Sequence, residues 1–408
     1  MTSDFDLLRP LDTEPRTAST VDIERAIADG RRQRTRRGAG YAGAALTFVA
    51  VTGVTIAAGA LRHDASHPPA PGTGVAASRG ATTSAPAAPA VPVPASCTVQ
   101  RLTAPKKAPM ALIGGADSSG SYFVGRSYPK SGGYQAVIWH DGAGTEVPLP
   151  GDEEESLIDV NASGTAVGWS YVQQKQVPFV YHDGQVSRLA GVAEGSADAI
   201  NDRGTIVGDD GSGHPLLWSS ATAQPQRLPV PAGATSAGAS DIDEDGTVIG
   251  TIDYKTPYVW LPDGSHHALK VPDLQGKPAE GRAFHISGGW VIGVVNEAGT
   301  GKDAGKVRAR AKMVTARWNL RTGEAQLFEG FGGTPDAVNA QGWFTGVDQQ
   351  AGAVLLAGAS TVKLPGLAPR GVDGLADIAN TVSTDGRTIG GQSNDKDGVI
   401  QPVVWHCK

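Results

Sequence analysis

The chain has 408 residues, of which 55 are Gly and 19% are charged. Glycine at about double its usual ~7% share argues against a helical bundle or a doubly wound α/β enzyme, because each interior helix position occupied by Gly costs roughly 0.5–1 kcal/mol. The net charge of −6 divides into +1 over residues 1–37, +1 over 38–96 and −8 over 97–408, which argues against nucleic acid as a partner, and two Cys are too few for a four-Cys zinc or iron–sulfur site.

Near the N-terminus, Ser19 followed three residues later by Asp22 resembles a capping box, and Ile23 and Ile27 share one face of a short helix that Gly30 ends. The segment reads either as a docking helix for a cytosolic partner or as a frayed tail. Residues 38–61 contain no charged side chain, and 24 helical residues span about 36 Å, enough for a bilayer core of ~30 Å. Arg31, Arg32, Arg34, Arg36 and Arg37 precede this run, so the positive-inside rule leaves residues 1–37 cytoplasmic and the remainder outside. A cleaved signal peptide, with Ala58-Gly59-Ala60 as the cleavage sequence, is the rival reading. Of the 35 residues from Arg62 to Ser96, 27 are Ala, Pro, Ser, Thr or Gly, a composition that cannot bury a core and predicts a disordered stalk.

From Cys97 onward the chain repeats. An apolar Val/Ile-Gly step recurs with its Gly at 125, 168, 208, 250, 293, 346 and 390. A third-segment aromatic recurs at Trp139, Tyr181, Trp218, Trp260, Trp318 and Trp405, with Leu356 in the sixth copy. Each copy holds four short β-type runs separated by turns such as Asn201-Asp202-Arg203-Gly204 and His182-Asp183-Gly184. Four strands per ~40–50 residues is the pattern of a propeller blade, so residues 97–408 predict an all-β, seven-bladed β-propeller. The last copy ends after its third strand, at Cys407, while Thr98-Val99-Gln100-Arg101-Leu102 resembles the missing fourth. The N-terminal segment then completes blade seven and sets Cys97 opposite Cys407, a disulfide that an extracytoplasmic compartment permits; a reactive thiol pair or metal pair is the alternative.

The units resemble the HAF repeat, a probable extracellular repeat common in actinobacteria. The likeness rests on Ala199-Ile200-Asn201-Asp202-Arg203-Gly204 with Ile206-Val207-Gly208, and on Asp241-Ile242-Asp243-Glu244-Asp245-Gly246 with Val248-Ile249-Gly250. Of the name-giving strand, His214-Pro215-Leu216-Leu217-Trp218 retains the His. The resemblance implies a surface-exposed propeller and supplies no reaction.

No nucleophile elbow, zinc-protease pair or phosphate loop is present, so no catalytic residue is assigned. Asp241, Asp243 and Asp245 match the first half of a calcium loop, although position twelve is Ile252; calcium is the one cofactor considered, against a purely structural Asx turn. If first strands line the channel, the aligned positions are Gly115, Asp159, Ala199, Asp241, His285, Ala337 and Asp377. Those side chains either form a ligand or acid–base ring or pair with neighbouring-blade backbone. The fifth copy carries an insertion with Lys302, Lys306, Arg308, Arg310, Lys312 and Arg317, on the same face as the acidic run Asp152-Glu153-Glu154-Glu155. The leading expectation is a membrane-anchored extracellular binding or sensing module for an envelope glycan or protein. The alternatives are a lyase or hydrolase at the channel mouth and a transmembrane regulator of a cytosolic factor such as a sigma factor.

Overall fold

A computed structural model describes residues 91–130, 133–151, 154–299, 311–331, 334–350, 352–369 and 377–408. The expected cytoplasmic tail, the membrane helix at 38–61 and the stalk as far as residue 90 lie outside the described residues. Among the described residues, no helix is long and apolar enough to cross a membrane.

Among the described residues the strands form seven four-stranded antiparallel sheets. The outer strand of the last blade comes first, β1 (Cys97–Arg101). Blade one is β2 (Met110–Ala116), β3 (Tyr122–Tyr128), β4 (Gln135–His140) and β5 (Ala143–Val147). Blade two is β6 (Glu155–Val160), β7 (Ala166–Val172), β8 (Lys175–His182) and β9 (Gln185–Arg188). Blade three is β10 (Ser196–Ile200), β11 (Ile206–Asp209), β12 (Pro215–Trp218) and β13 (Gln226–Arg227). Blade four is β14 (Ala237–Ile242), β15 (Val248–Ile252), β16 (Thr256–Trp260) and β17 (His266–Ala268). Blade five is β18 (Ala279–Ser287), β19 (Trp290–Glu297), β20 (Val314–Asn319) and β21 (Glu324–Phe328). Blade six is β22 (Ala337–Val338), β23 (Phe344–Val347), β24 (Ala353–Ala357) and β25 (Ser360–Lys363). Blade seven joins β26 (Ile378–Ala379), β27 (Thr388–Asn394) and β28 (Ile400–Cys407) to β1.

The repeated residues are the devices that make one blade fit the next. In blades one to five the first strand carries a bulge, for example between Leu157 and Asp159, and the Gly of the apolar step lies opposite the residue before it. A Cβ at Gly125, Gly168, Gly208, Gly250 or Gly293 would fall 1.9–2.1 Å from a first-strand carbonyl oxygen, so only Gly permits the approach. In blade seven Trp405 pairs with Ile389, which places Gly391, rather than Gly390, at this step; its Cβ would lie 2.0 Å from the Ile378 oxygen. The third-strand indoles are the second device. Trp139, Trp218, Trp260, Trp318 and Trp405 are at most 3% exposed, and each donates its indole N–H to a carbonyl just beyond the outer strand of the preceding blade, at 2.6–3.0 Å.

The ring closes as the sequence implies. β1 pairs with β28 from Cys97↔Cys407 to Arg101↔Val403, and the two cysteines are disulfide-bonded. Residues 91–96, read from composition as the end of the stalk, are bound to this blade. Val91 packs on its apolar cluster, the Arg387 guanidinium donates to the Pro92 carbonyl, and Ser96 and Lys408 exchange backbone hydrogen bonds. Proline-rich composition misled here because Pro92 and Pro94 need no ladder partner for their own nitrogens.

Candidate functional site

The first-strand residues around the axis occupy the expected positions in six blades. Gly115, Asp159, Ala199, Asp241, His285 and Ala337 each lie opposite the residue preceding the Gly step. Blade seven differs. Thr381, not Asp377, holds this place, donating its backbone N–H to the Gly390 carbonyl at 3.1 Å while its hydroxyl accepts from Gly390 N. Asp377 sits four residues earlier, 7% exposed, with its carboxylate against Gly366. The pairing of Ala379 with Gly391 in the two-residue strand β26 sets a register other than the one the tandem glycines had suggested.

Two channel carboxylates bind backbone of the following blade. Asp159 Oδ2 accepts from Ile200 N at 2.8 Å, and Asp241 Oδ2 accepts from Ile286 N at 2.9 Å. The arrangement answers the need to pair polar atoms where strands crowd the axis. Electrostatics are nonetheless strong. Burial, followed by the charge of Asp241, pushes the Asp159 carboxyl up to about 8. Burial works to lower the His285 imidazole, but the Asp241 carboxylate 3.5 Å away, with Asp336 and Asp159, outweighs it and leaves the ring above its usual value. A second acidic pair, which the sequence did not single out, stands in blade three. The Ser196 hydroxyl lies 2.7 Å from Asp198 Oδ2 and 2.8 Å from Asp209 Oδ2, and both carboxyls are raised, foremost by burial.

The calcium-like loop spends its oxygens on the fold. Asp243 accepts from Glu244 N, Gly288 N and Gly289 N, Asp241 from Ile242 N and Ile286 N, and Asp245 from Thr247 N. The same turn in other blades reaches its neighbour by donating: Asn161 Nδ2 to the Asn201 carbonyl, Asn201 Nδ2 to the Asp243 carbonyl and Asn339 Nδ2 to that of Ser383. The aspartate side chain has no N–H, so blade four reverses the direction and takes two N–H groups from blade five. Among the described residues, no three His, Cys, Asp or Glu side chains gather as a set of metal ligands.

At the opposite end of the strands from these turns, β19 ends at Glu297 and β20 begins at Val314, bracketing the blade-five insertion. Lys302, Lys306, Arg308 and Arg310 lie outside the described residues, as do Asp152 and Glu153. Lys312 is exposed beside Met313, whose sulfur meets the Arg282 guanidinium at 3.3 Å; Arg282, in strand β18, is a cation near the insertion that sequence reasoning missed. Arg317 does not belong to the insertion. It lies in β20, over the Trp290 and Phe328 rings at 4.8 and 5.2 Å, and donates to the Gly342 carbonyl, while burial lowers its pKa. Glu155 likewise leaves the acidic run. It belongs to β6, accepts from Ala136 N at 3.1 Å and is pushed up to about 7 by burial.

No protein-family model matches the chain, and no curated protein is similar to it in sequence. Among solved structures, it is similar to an oligogalacturonate lyase from Vibrio parahaemolyticus at 10% identity and TM-score 0.49, over 76% of this chain and 97% of that one. A catalytically inactive virginiamycin B lyase from Staphylococcus aureus, with quinupristin, gives 13% and 0.48, over 76% and 99%. The RRP9 WD40 repeats give 11% and 0.48, over 76% and 97%. At such identities the likeness concerns the fold alone.

Proposed function

We propose that the chain is a membrane-tethered recognition module of the HAF-repeat type. One helix at 38–61 holds the propeller outside the cytoplasm, and the face carrying the blade-five insertion binds an anionic ligand of the cell envelope, a glycan or a protein. The observation that carries this reading is the charge of that connection. Residues 298–313 hold Lys302, Lys306, Arg308, Arg310 and Lys312 against Asp303 alone, in a region that is otherwise strongly acidic. Glu297, at its edge, is already paired with Lys277 at 2.9 Å. A long connection on a rigid scaffold is where binding residues concentrate, and screening should make such binding salt-dependent. The test is retention of the detergent-solubilised full chain on purified anionic envelope polysaccharide and on captured envelope proteins. Retention should fall as salt rises and vanish when Lys302 to Lys312 are deleted; unchanged retention by the deletion variant refutes the reading.

A channel-mouth hydrolase or lyase is the second reading. Its one supporting observation is the pairing, in one channel, of a carboxyl raised to about 8 at Asp159 with the Asp241–His285 pair, which suits acid–base division of labour. The backbone hydrogen bonds of Asp159 and Asp241 weigh against it, because a general acid or base needs its oxygen free for substrate.

A further inference from the structure

Five blade interfaces are sealed by a buried indole, and two are not. At blade six Leu356 stands in the place of Trp, and Phe328, Phe331 and Phe344 fill the space with ring centroids 4.9–6.4 Å apart. At blade two the residue is Tyr181, which is half-buried and has no indole N–H to bind the preceding blade. No indole seals this interface, and a cleft of about 330 Å³ opens between blades one and two.

The chemistry of the cleft is specific. Its walls include Tyr122, Ile138, His140, Thr145, Tyr181 and Asp183. Tyr122 and His140, cross-strand neighbours in β3 and β4, stack at 4.2 Å with their planes 9° apart. The Asx turn of blade two lies against the Tyr122 ring, since a Cβ on Gly164 would come within 3.1 Å of it. Asp183 projects from the third-to-fourth-strand turn with its side chain 87% exposed, and Asp141 occupies the same turn of blade one at 91%. Asp141 Oδ2 lies 3.8 Å from His140 and Asp183 Oδ2 3.4 Å from His182; of the two carboxylates it is Asp183 that lines the cleft, where it disfavours an anion. Flat aromatic faces offer contact to a ring of C–H groups, and carboxylate and hydroxyl oxygens accept from or donate to sugar hydroxyls.

We infer that this cleft is a subsite for a neutral oligosaccharide, with a pyranose against the Tyr122–His140 stack and the Tyr181 ring and its hydroxyls donating to Asp183. The site is on the turn-bearing face, opposite the blade-five insertion, and stands independently of an anionic ligand there. Its binding should survive deletion of Lys302 to Lys312 and respond little to salt.

The experiment is saturation-transfer NMR and calorimetric titration of the detergent-solubilised full chain with maltotriose, mannotriose and N-acetylchitotriose. At least one should bind saturably. Tyr181→Trp restores the indole of the other blades and closes the cleft; affinity should fall at least tenfold while the melting temperature holds or rises. Asp183→Asn, on an exposed turn whose φ of 46° Asn tolerates, should weaken binding at least fivefold even if the first variant fails to fold. Absence of binding by all three sugars, or affinity unchanged in Asp183→Asn and in a folded Tyr181→Trp, overturns the inference.

Discussion

Opening the Cys97–Cys407 bond should lower stability without altering the fold. The bond closes a loop of 310 residues, nearly the entire propeller. In the chain-entropy treatment such a loop restricts the unfolded chain by about 5–6 kcal/mol, an upper value because reduced chains keep residual structure. With an unfolding entropy of roughly 2.1 cal/mol/K per residue over ~310 residues, that energy corresponds to about 8–9 °C, so reduction should lower the melting temperature by about 3–9 °C. Circular dichroism below the transition should stay unchanged. Five residue pairs join β1 to β28, and residues 91–96 remain held through Lys408 and Arg387. The assay is calorimetry of the oxidised protein, the fully reduced protein and the Cys97→Ser/Cys407→Ser double variant. Melting within about 1 °C for all three would refute the entropic argument. Loss of β signal at room temperature would show that the covalent bond, rather than strand pairing, holds the ring closed.

Gly250→Ala should destabilise by about 1–3 kcal/mol in urea unfolding, because its Cβ meets the Gly238 oxygen at 1.9 Å; Gly346→Ala, whose nearest neighbour is the Phe331 ring at 3.4 Å, should cost less than about 1. The Asp159 carboxyl is raised from 3.8 to about 8, so its stabilising contribution is complete below pH about 4, declines as pH rises and is gone above about 8. Asp159→Asn, which keeps an acceptor for Ile200 N, should therefore melt above the wild type at pH 9 by an amount equivalent to roughly 1–3 kcal/mol after allowance for partial exposure, with the gap shrinking by pH 5. A gap that widens toward low pH would reverse the sign of the argument. A reporter enzyme that works only outside the cytoplasm should be active when fused after Lys408, given the Arg cluster before residue 38.

The period was legible in the sequence because each blade solves the same packing problem with local devices. The Asx turn, the apolar-Gly step and the third-strand Trp each leave a mark a few residues long, and the structure gives each a contact that only those residue types make. What failed was register and partnership. Gly390 and Gly391 are adjacent, and only the pairing of Ile389 with Trp405 decides between them. Arg317 and Glu155 looked like surface charge because a sequence does not reveal which charged residue a strand carries inward. The cleft left a visible signal, Tyr181 in place of Trp. Its meaning depended on blade six, where Leu356 is an equal departure but phenylalanines from two blades cover it.

The central claim, recognition through the insertion-bearing face rather than catalysis in the channel, is tested most directly by hydrogen-exchange mass spectrometry of the full chain with and without bound anionic envelope polysaccharide. The claim requires protection in peptides spanning residues 294–316, with β6 and β14 unchanged. Protection confined to β6, β14 and the His285 segment, with residues 294–316 exchanging as in the free protein, would contradict it and move the site into the channel.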